Sequence, residues 1–162
     1  MEKIKFAKVN PNGIIPSKRD CDGGYDVYAC FGNDHVIIEP QQTVMIPTGI
    51  ASSFSSNYCF LLEERGSTGT RAMSRRSGLI DSNYRGEWNV VLNNTGYKTI
   101  CISKTVEEVE EYETIIHYPY SKAICQALFL PVPKTEIEEI PYDELKLITS
   151  VRGDNKLGSS GK

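Results

Sequence analysis

The last residues of the chain combine groups that bind phosphate. Arg152 carries a forked guanidinium, and Ser159 and Ser160 carry hydroxyls, in a stretch with three glycines and a single apolar side chain, Leu157. Arginine contacts phosphate oxygens in pairs, and glycines such as Gly158 let backbone N–H groups approach a ligand closely. Because the segment can bury so little apolar surface, we expect it to be mobile until a ligand orders it. Such a segment is more commonly an ordinary disordered terminus, but four segments upstream that fit the same ligand favour a polyphosphate here.

A carboxylate that could activate water lies near the middle of the chain. Asp81 follows the apolar pair Leu79 and Ile80 and precedes a turn, as in the arm of a hairpin. A lone carboxylate beside a phosphate site can orient a water and take its proton for attack on phosphorus. Tyr84 could stack against a sugar or a base. The structural alternatives are a turn-initiating aspartate and a half-buried strand aromatic.

Three further segments have phosphate, metal or hydrogen-bonding chemistry. Arg65, Gly66 and Ser67 follow an apolar run, as in a phosphate-binding turn, but without the ending of a P-loop. Asp26 follows two glycines at the start of a strand and could hold magnesium, directly or through water. Gln126 interrupts an apolar strand, so it is either a satisfied core amide or part of a site.

The charge distribution indicates a discrete anionic ligand. The net charge is −3, with acids concentrated in 107–113 and 136–144, whereas residues 65–86 hold five arginines and one acid. A nucleic-acid partner would need a broad basic face, so none is expected. Of these arginines, Arg71, Arg75 and Arg76 are expected on a solvated loop.

The cysteines and the hydropathy indicate a reduced, cytoplasmic protein. The five cysteines lack metal-ligand spacing, which argues against a zinc site or a disulfide framework. No apolar run reaches membrane-spanning length, so no membrane association is expected.

Short apolar runs punctuated by turn residues predict an all-β fold. Turn signals recur about every ten residues, which is typical of a compact distorted barrel or a jelly-roll-like sandwich. One all-β catalytic domain is expected over 1–151, with a mobile C-terminal arm over 152–162. The candidate strands are 3–9, 25–31, 35–39, 43–51, 58–64, 87–92, 99–103, 114–118, 123–132 and 146–151.

Taken in order, five of these segments resemble the motifs of the deoxyuridine triphosphatase (dUTPase) family. The matching segments are Gly24-Tyr25-Asp26, Arg65-Gly66-Ser67, 78–86, Ile124-Cys125-Gln126 and 152–161. The resemblance covers essentially the whole chain. It implies a homotrimeric all-β enzyme with shared active sites that hydrolyses dUTP to dUMP and pyrophosphate with Mg²⁺.

The resemblance also implies roles for individual residues. Asp81 would position the water that attacks the α-phosphorus, Gln126 would help to hold that water, and Asp26 would bind Mg²⁺ through its water shell. The phosphates would be held by Arg65, Gly66, Ser67, Arg152, Gly158, Ser159 and Ser160. Uracil and deoxyribose would be held by Gly78, Leu79, Ile80, Tyr84 and Leu157. Residues 152–162 would then close over the substrate as a lid.

The chain departs from the family pattern in several places. Leu157 stands where the family has an aromatic that stacks on uracil, and Tyr97 is a candidate to replace it. In the Arg-Gly-Ser-Thr-Gly sequence, either Ser67 or Thr68 could supply the phosphate-binding hydroxyl. The stretch 95–121 is longer than the family core needs and could be a surface hairpin, a trimer contact or a docking site.

Two alternative functions remain beside dUTP hydrolysis. A dCTP deaminase of related fold would need a glutamate at the cytosine amino group, whereas the hairpin carries Asp81. A regulatory role through a protein partner could exist alongside catalysis, with 95–121 as the docking segment.

Overall fold

The chain forms small β-sheets with little helix. The computed structural model describes residues 2–154. Within them, the strands are β1 (Lys5–Lys8), β2 (Gly24–Val27), β3 (His35–Ile38), β4 (Thr43–Pro47), β5 (Ile50–Ser53), β6 (Tyr58–Glu63), β7 (Met73–Ser77), β8 (Leu79–Ile80), β9 (Asn89–Asn94), β10 (Thr99–Ser103), β11 (Glu110–Glu111), β12 (Ile115–Pro119) and β13 (Cys125–Pro131), and the helices are α1 (Gly66–Gly69) and α2 (Tyr142–Leu147).

The strands form four sheets around one core, which confirms the predicted all-β barrel-like class. Their orders are β1-β5, β2-β13-β6-β8, β3-β10-β12-β11 and β4-β9-β7. The pairs are antiparallel except for β10 with β12, which run parallel. Among the described residues, no helix has the length and apolar character needed to span a membrane.

Aromatic side chains fill the centre of the core. Phe60 is fully buried and packs edge-on or tilted against Phe6, Phe54, Trp88 and Phe129, with ring centroids 4.8–6.0 Å apart. Burying each such side chain contributes about 1.5–3 kcal/mol. Because Phe60 lies on β6, this packing fixes the strand that separates the two halves of the predicted site.

Strand periodicity directs two predicted site residues away from this core. On β13, Cys125 and Ala127 are buried while Gln126 between them is only half-buried. On β2, Val27 is buried and Asp26 is half-buried. Successive side chains of a strand point to opposite faces. Gln126 and Asp26 are register partners, so the pairing brings them together on the outer face.

The expectation of a solvated arginine loop is wrong for Arg75 and Arg76, which lie on a strand, whereas Arg71 lies in the turn before it. Met73–Ser77 forms β7, which pairs with β9 through a bulge. Arg75 forms an ion pair with Glu63 at 3.2 Å, and the Arg76 Nη2 donates to Asn93 Oδ1 at 2.9 Å. Arg71 is half-buried and donates to the Ser67 carbonyl at 2.7 Å. The partners of Arg75 and Arg76 lie 12 and 17 residues away in the chain, so local sequence does not show them.

The predicted strand 146–151 is also wrong. Residues 142–147 form α2, which begins after Pro141 with two acids in its first turn, and no strand follows in the described residues. Proline before a helix and acids in the first turn are helix-start signals. The apolar side chains there are exposed, including Leu147 and Val151, so they do not act as buried strand positions.

The stretch 95–121 is not a single insertion. Ile100, Ile102, Ile116 and Tyr118 are buried, because β10 and β12 are core strands. The excursion is confined to 104–114, which carries the acidic run and β11.

The C-terminal arm is described only in part. Residues 150–154, including Arg152, are exposed. Leu157, Gly158, Ser159 and Ser160 lie outside the described residues, so their predicted roles remain predictions.

Candidate active site

A cleft of about 890 Å³, here called the Arg65 cleft, lies between the loop 17–24 and the turn after β6. Five residues predicted from the sequence line this cleft: Asp26, Arg65, Gly66, Ser67 and Gln126. They come from three places in the chain that sheet pairing joins, since β13 lies between β2 and β6. The structure therefore brings together the predicted metal-binding carboxylate, the phosphate-binding turn and the amide.

Arg65 is already held by a carboxylate in this cleft. Its Nε lies 2.9 Å from Asp26 Oδ1, and its Nη2 lies 3.5 Å from Oδ2. Nη1 points to the Ser67 hydroxyl and the Ala123 carbonyl, each at 3.4 Å. Both charged side chains are about one-third exposed, at 30% and 36%. The fork is thus oriented in advance and remains accessible to an anion.

The turn that follows Arg65 decides which hydroxyl faces the cleft. Thr68 is fully buried, its Oγ1 accepts from the Arg65 amide at 3.0 Å, and the same hydroxyl lies 3.0 Å from the Arg65 carbonyl. Ser67 is exposed and lines the cleft. Thr68 therefore shapes the turn, and Ser67 is the hydroxyl available to a ligand.

Gln126 is fixed by one hydrogen bond and one close contact. Its Nε2 donates to the Glu64 carbonyl at 2.8 Å. A Cβ on Gly24 would lie 2.8 Å from its Oε1, so only glycine leaves room for this amide. The neighbouring Glu64 carboxylate accepts hydrogen bonds from the Arg75 amide and from the Ser74 hydroxyl, each at 2.9 Å. These bonds lower the pKa of Glu64.

A second cleft of about 580 Å³ lies at residues 78–86, the segment predicted to form a hairpin, and is here called the hairpin cleft. Within the described residues the hairpin itself is not formed, because β8 pairs with β6 and β7 pairs with β9. The cleft is lined by the predicted water-positioning residue Asp81 and by four predicted nucleoside-binding residues, Gly78, Leu79, Ile80 and Tyr84. The Tyr84 amide donates to the Asp81 carbonyl at 3.1 Å, which closes the turn, and the Asp81 side chain is exposed. The Tyr84 hydroxyl donates to the Glu87 carbonyl at 3.0 Å. This bond holds the ring beside Gly86, where an added Cβ would overlap it.

The two clefts do not merge within one chain. The Arg65 cleft holds Gln126, and the hairpin cleft holds Asp81, so the predicted water-positioning pair is not brought together in a single subunit. β6 lies between the strands that carry them, because the order is β13-β6-β8. Arg152 lines neither cleft.

Tyr97 does not lie at the hairpin cleft. It is 84% exposed and lines a small separate pocket with Arg71 and Lys98. Within one chain it cannot cover a base that the hairpin cleft holds.

The sequence interpretation missed several lining residues. Lys18 and Arg19 line the Arg65 cleft, and Met45 and Asn89 line the hairpin cleft. A basic pair just before the Gly-Tyr-Asp motif was a usable signal for the first two. No local signal marks the other two, because β4 and β9 reach the cleft only through sheet pairing.

A magnesium ion is compatible with the Arg65 cleft only as a largely hydrated ion. Among the described residues, no group of three or more histidine, cysteine or acidic side chains could hold a metal. Asp26 is a single, partly exposed carboxylate that is shared with Arg65. Mg²⁺ keeps several waters and is commonly bound by one or two carboxylates together with substrate phosphates. Asp26 fits such a role.

Comparison with known proteins identifies the family. The dUTPase family model matches residues 11–106, which is more than half of the chain. The matched residues include the turn after β6 and the segment 78–86. The chain belongs to the dUTPase family. Three of the five predicted motifs, Gly24-Tyr25-Asp26, Arg65-Gly66-Ser67 and 78–86, lie within the matched residues.

Similar proteins and solved structures align with nearly the whole chain. A deoxyuridine 5'-triphosphate nucleotidohydrolase from Nautilia profundicola is 28% identical over 99% of both chains, and one from Escherichia phage T5 is 29% identical over 98% of both. The Staphylococcus bacteriophage 80alpha dUTPase with dUPNHPP has the same fold, with a TM-score of 0.76 and 23% identity over 99% of both chains. A mutant dUTPase of phage phi11 of S. aureus, which coordinates a structural Mg(II) ion, has a TM-score of 0.68 and 19% identity over 85% of this chain and 96% of that one.

Proposed function

We propose that the chain hydrolyses dUTP to dUMP and pyrophosphate, with the Arg65 cleft binding the phosphates and the hairpin cleft binding the nucleoside. The observation that carries this proposal is the division of the family's residues into one cationic, hydroxyl-lined cleft and one cleft of backbone and aromatic surface. Such a division suits a ligand with a polyanionic end and a flat, neutral end. We place the reaction in the cytoplasm, where free thiols such as the five of this chain stay reduced.

The proposed chemistry begins with Asp81. Its exposed carboxylate takes a proton from water, whose oxygen forms a bond to the α-phosphorus while the bond to the bridging oxygen breaks and pyrophosphate leaves. Gln126 contributes its Oε1, since its Nε2 is bound to the Glu64 carbonyl. Arg65 and Ser67 hold phosphate oxygens. Phosphoryl transfer depends mostly on such positioning and charge stabilisation.

Asp26 would hold hydrated Mg²⁺ against the phosphates. A bound Mg²⁺ supplies charge stabilisation to the phosphate oxygens. Asp26 also keeps the Arg65 fork in place.

The complete site would combine residues from several copies of this chain. Asp81 and Gln126 face different clefts of one chain. We propose that a neighbouring copy brings its Arg65 cleft to the hairpin cleft and that a third copy supplies Arg152, as in the homotrimer that the family resemblance implies. The exposed apolar side chains Ile137, Leu147 and Val151, which precede the predicted arm 152–162, support such contacts between copies.

Deamination of dCTP is not favoured. The glutamate that lines the hairpin cleft is Glu87, and its Oε1 accepts a hydrogen bond from the Gly49 amide at 2.7 Å. This carboxylate is committed to fixing a turn, while Asp81 is the exposed acid.

The test is release of pyrophosphate with Mg²⁺ from dUTP, dTTP, dCTP and UTP, by wild type, Asp81→Asn and the control Asp34→Asn. Asp34 is exposed and outside both clefts. We expect release from dUTP alone, full activity in the control, and a loss of at least about 100-fold in Asp81→Asn, as for a general base. Ammonia from dCTP, or undiminished activity of Asp81→Asn, would contradict the proposal. Removal of residues 152–162 should lower turnover without lowering the melting temperature.

A further inference from the structure

A lysine of the loop 17–24 lies in the Arg65 cleft beside the predicted phosphate site. Lys18 is exposed and lines the cleft, and its Nζ donates to the Asp22 carbonyl at 2.8 Å. A second, long contact joins Nζ to the Arg19 carbonyl at 3.5 Å. Nζ also lies 5.6 Å from the centre of the Tyr25 ring. An ammonium has three N–H groups, so this arrangement leaves a donor for a ligand.

The charges of the cleft differ in how they are compensated. Arg19 forms a bidentate pair with Asp22, at 2.9 and 3.0 Å, and this bond lowers the pKa of the Asp22 carboxyl. Arg65 is paired with Asp26 at 2.9 Å. Lys18 instead bonds to carbonyl oxygens, so among the described lining residues its charge is the one that no ion pair neutralises. A polyphosphate entering the cleft meets one net positive charge, and Lys18 supplies it.

The loop holds this charge in a defined place. The Asp26 amide donates to the Ser17 carbonyl at 2.9 Å, which ties the residue before Lys18 to the strand that carries Asp26. The Asp22 amide donates to the Arg19 carbonyl at 3.0 Å and closes the following turn. Because both sides of Lys18 are fixed, little ordering is needed when a ligand binds.

We propose that Lys18 binds the phosphate chain of the substrate directly and sets the affinity of the Arg65 cleft for phosphate. This inference rests on the proposed hydrolysis of dUTP. Arg65 must share its fork between Asp26 and the phosphates, whereas Lys18 keeps a donor and an uncompensated charge for them. Lys18 acts in binding and not in the proton transfer assigned to Asp81.

The experiment compares Lys18→Met, Lys18→Arg and the matched control Lys8→Met. Lys8 is also exposed and donates to a backbone carbonyl, that of Pro11 at 3.3 Å, but it lies outside the cleft. Methionine keeps the apolar stem and removes the charge. The measurements are kcat and KM for dUTP, the inhibition constant of inorganic pyrophosphate, their dependence on salt, and the melting temperature.

We expect Lys18→Met to raise both KM and the pyrophosphate inhibition constant about tenfold, the size of one charge-assisted hydrogen bond in an open cleft. Its kcat and melting temperature should stay near wild type, and its KM should depend less on salt. Lys18→Arg should restore most of the affinity, and Lys8→Met should match wild type.

Two results would overturn the inference. In one, Lys18→Met has the same KM and pyrophosphate constant as Lys8→Met. In the other, Lys18→Met and Lys18→Arg lose kcat and thermal stability together while pyrophosphate inhibition is unchanged, which would make Lys18 a brace for the loop. If the wild type releases no pyrophosphate from dUTP, the proposed function fails, and calorimetric binding of pyrophosphate to wild type and Lys18→Met still decides the role of Lys18.

Discussion

Replacing Gly24 by alanine should disturb Gln126 without touching any charged group. A Cβ at Gly24 would lie 2.8 Å from Gln126 Oε1, closer than non-bonded atoms allow, and 3.2 Å from its Cδ, which is tighter than an ordinary contact. The side chain must then rotate away and weaken the bond from its Nε2 to the Glu64 carbonyl, now 2.8 Å long. The adjacent Gly23 is the matched control, because nothing lies within 4 Å of the Cβ that alanine would add there.

The expected cost follows from these contacts. Loss of one hydrogen bond costs about 1 kcal/mol, and forcing a side chain off its rotamer costs about 1 kcal/mol more. Alanine in place of an unstrained glycine returns about 0.4–1 kcal/mol by restricting the unfolded chain. We therefore expect Gly24→Ala to lower the free energy of unfolding by about 1–1.6 kcal/mol, and Gly23→Ala to leave it unchanged or to raise it by about 0.5 kcal/mol.

Urea unfolding at one fixed protein concentration measures both variants. The single tryptophan, Trp88, is fully buried and reports the loss of the core by its fluorescence. In a Gln126→Ala background both the Oε1 and Cδ contacts and the hydrogen bond to Glu64 are gone, so the cost of Gly24→Ala should shrink by about 2 kcal/mol. Turnover of dUTP by Gly24→Ala should also fall, because the amide has moved. Equal stability of Gly24→Ala and Gly23→Ala, or an unchanged cost in the Gln126→Ala background, would refute this reasoning.

Three further predictions concern the hairpin cleft, the pH dependence and a buried thiol. Gly86→Ala should push the Tyr84 ring, whose Cζ would lie 2.6 Å from the new Cβ. The family resemblance implies that this ring lies under the deoxyribose and excludes a 2′-hydroxyl, so its displacement should raise activity on UTP relative to dUTP, as measured by pyrophosphate release. Unchanged discrimination would rule this out. Hydrogen bonds from the Arg75 amide and a neighbouring hydroxyl lower the pKa of Glu64 from 4.5. The contribution of Glu64 to stability is therefore full above about pH 4.5 and is lost as the pH falls through the lowered pKa of the folded state. Glu64→Gln should make the free energy of unfolding depend less on pH in the acid range, and an identical pH dependence would contradict this. Burial raises the pKa of the Cys125 thiol to about 12, so in the folded protein a thiol reagent at pH 8 should leave this residue unlabelled by peptide mapping until urea is added.

Much of the fold follows from local patterns. Alternating apolar runs such as β13 and turn signals between them predicted an all-β domain, because side-chain alternation is a property of the strand itself. The same reasoning failed for 146–151, where the apolar residues belong to a short helix and an exposed arm. It also failed for β7, whose arginines are satisfied by Glu63 on β6 and Asn93 on β9. Local composition does not reveal partners that are more than ten residues away.

The sequence indicated which chemical groups the candidate site contains, and the tertiary structure decided how these groups are arranged. Residue types and motif order indicated a phosphate turn, a magnesium-binding carboxylate and a hairpin with a catalytic aspartate, and the family resemblance assigned the reaction. Only the fold decided that Asp26 holds Arg65 across 39 positions in the chain, and that Asp81 and Gln126 face separate clefts. It also decided that Lys18 lies among the groups predicted to bind phosphate. The physical reason is that strand pairing, which joins segments distant in the chain, sets where side chains meet, whereas sequence alone sets what each of them can do.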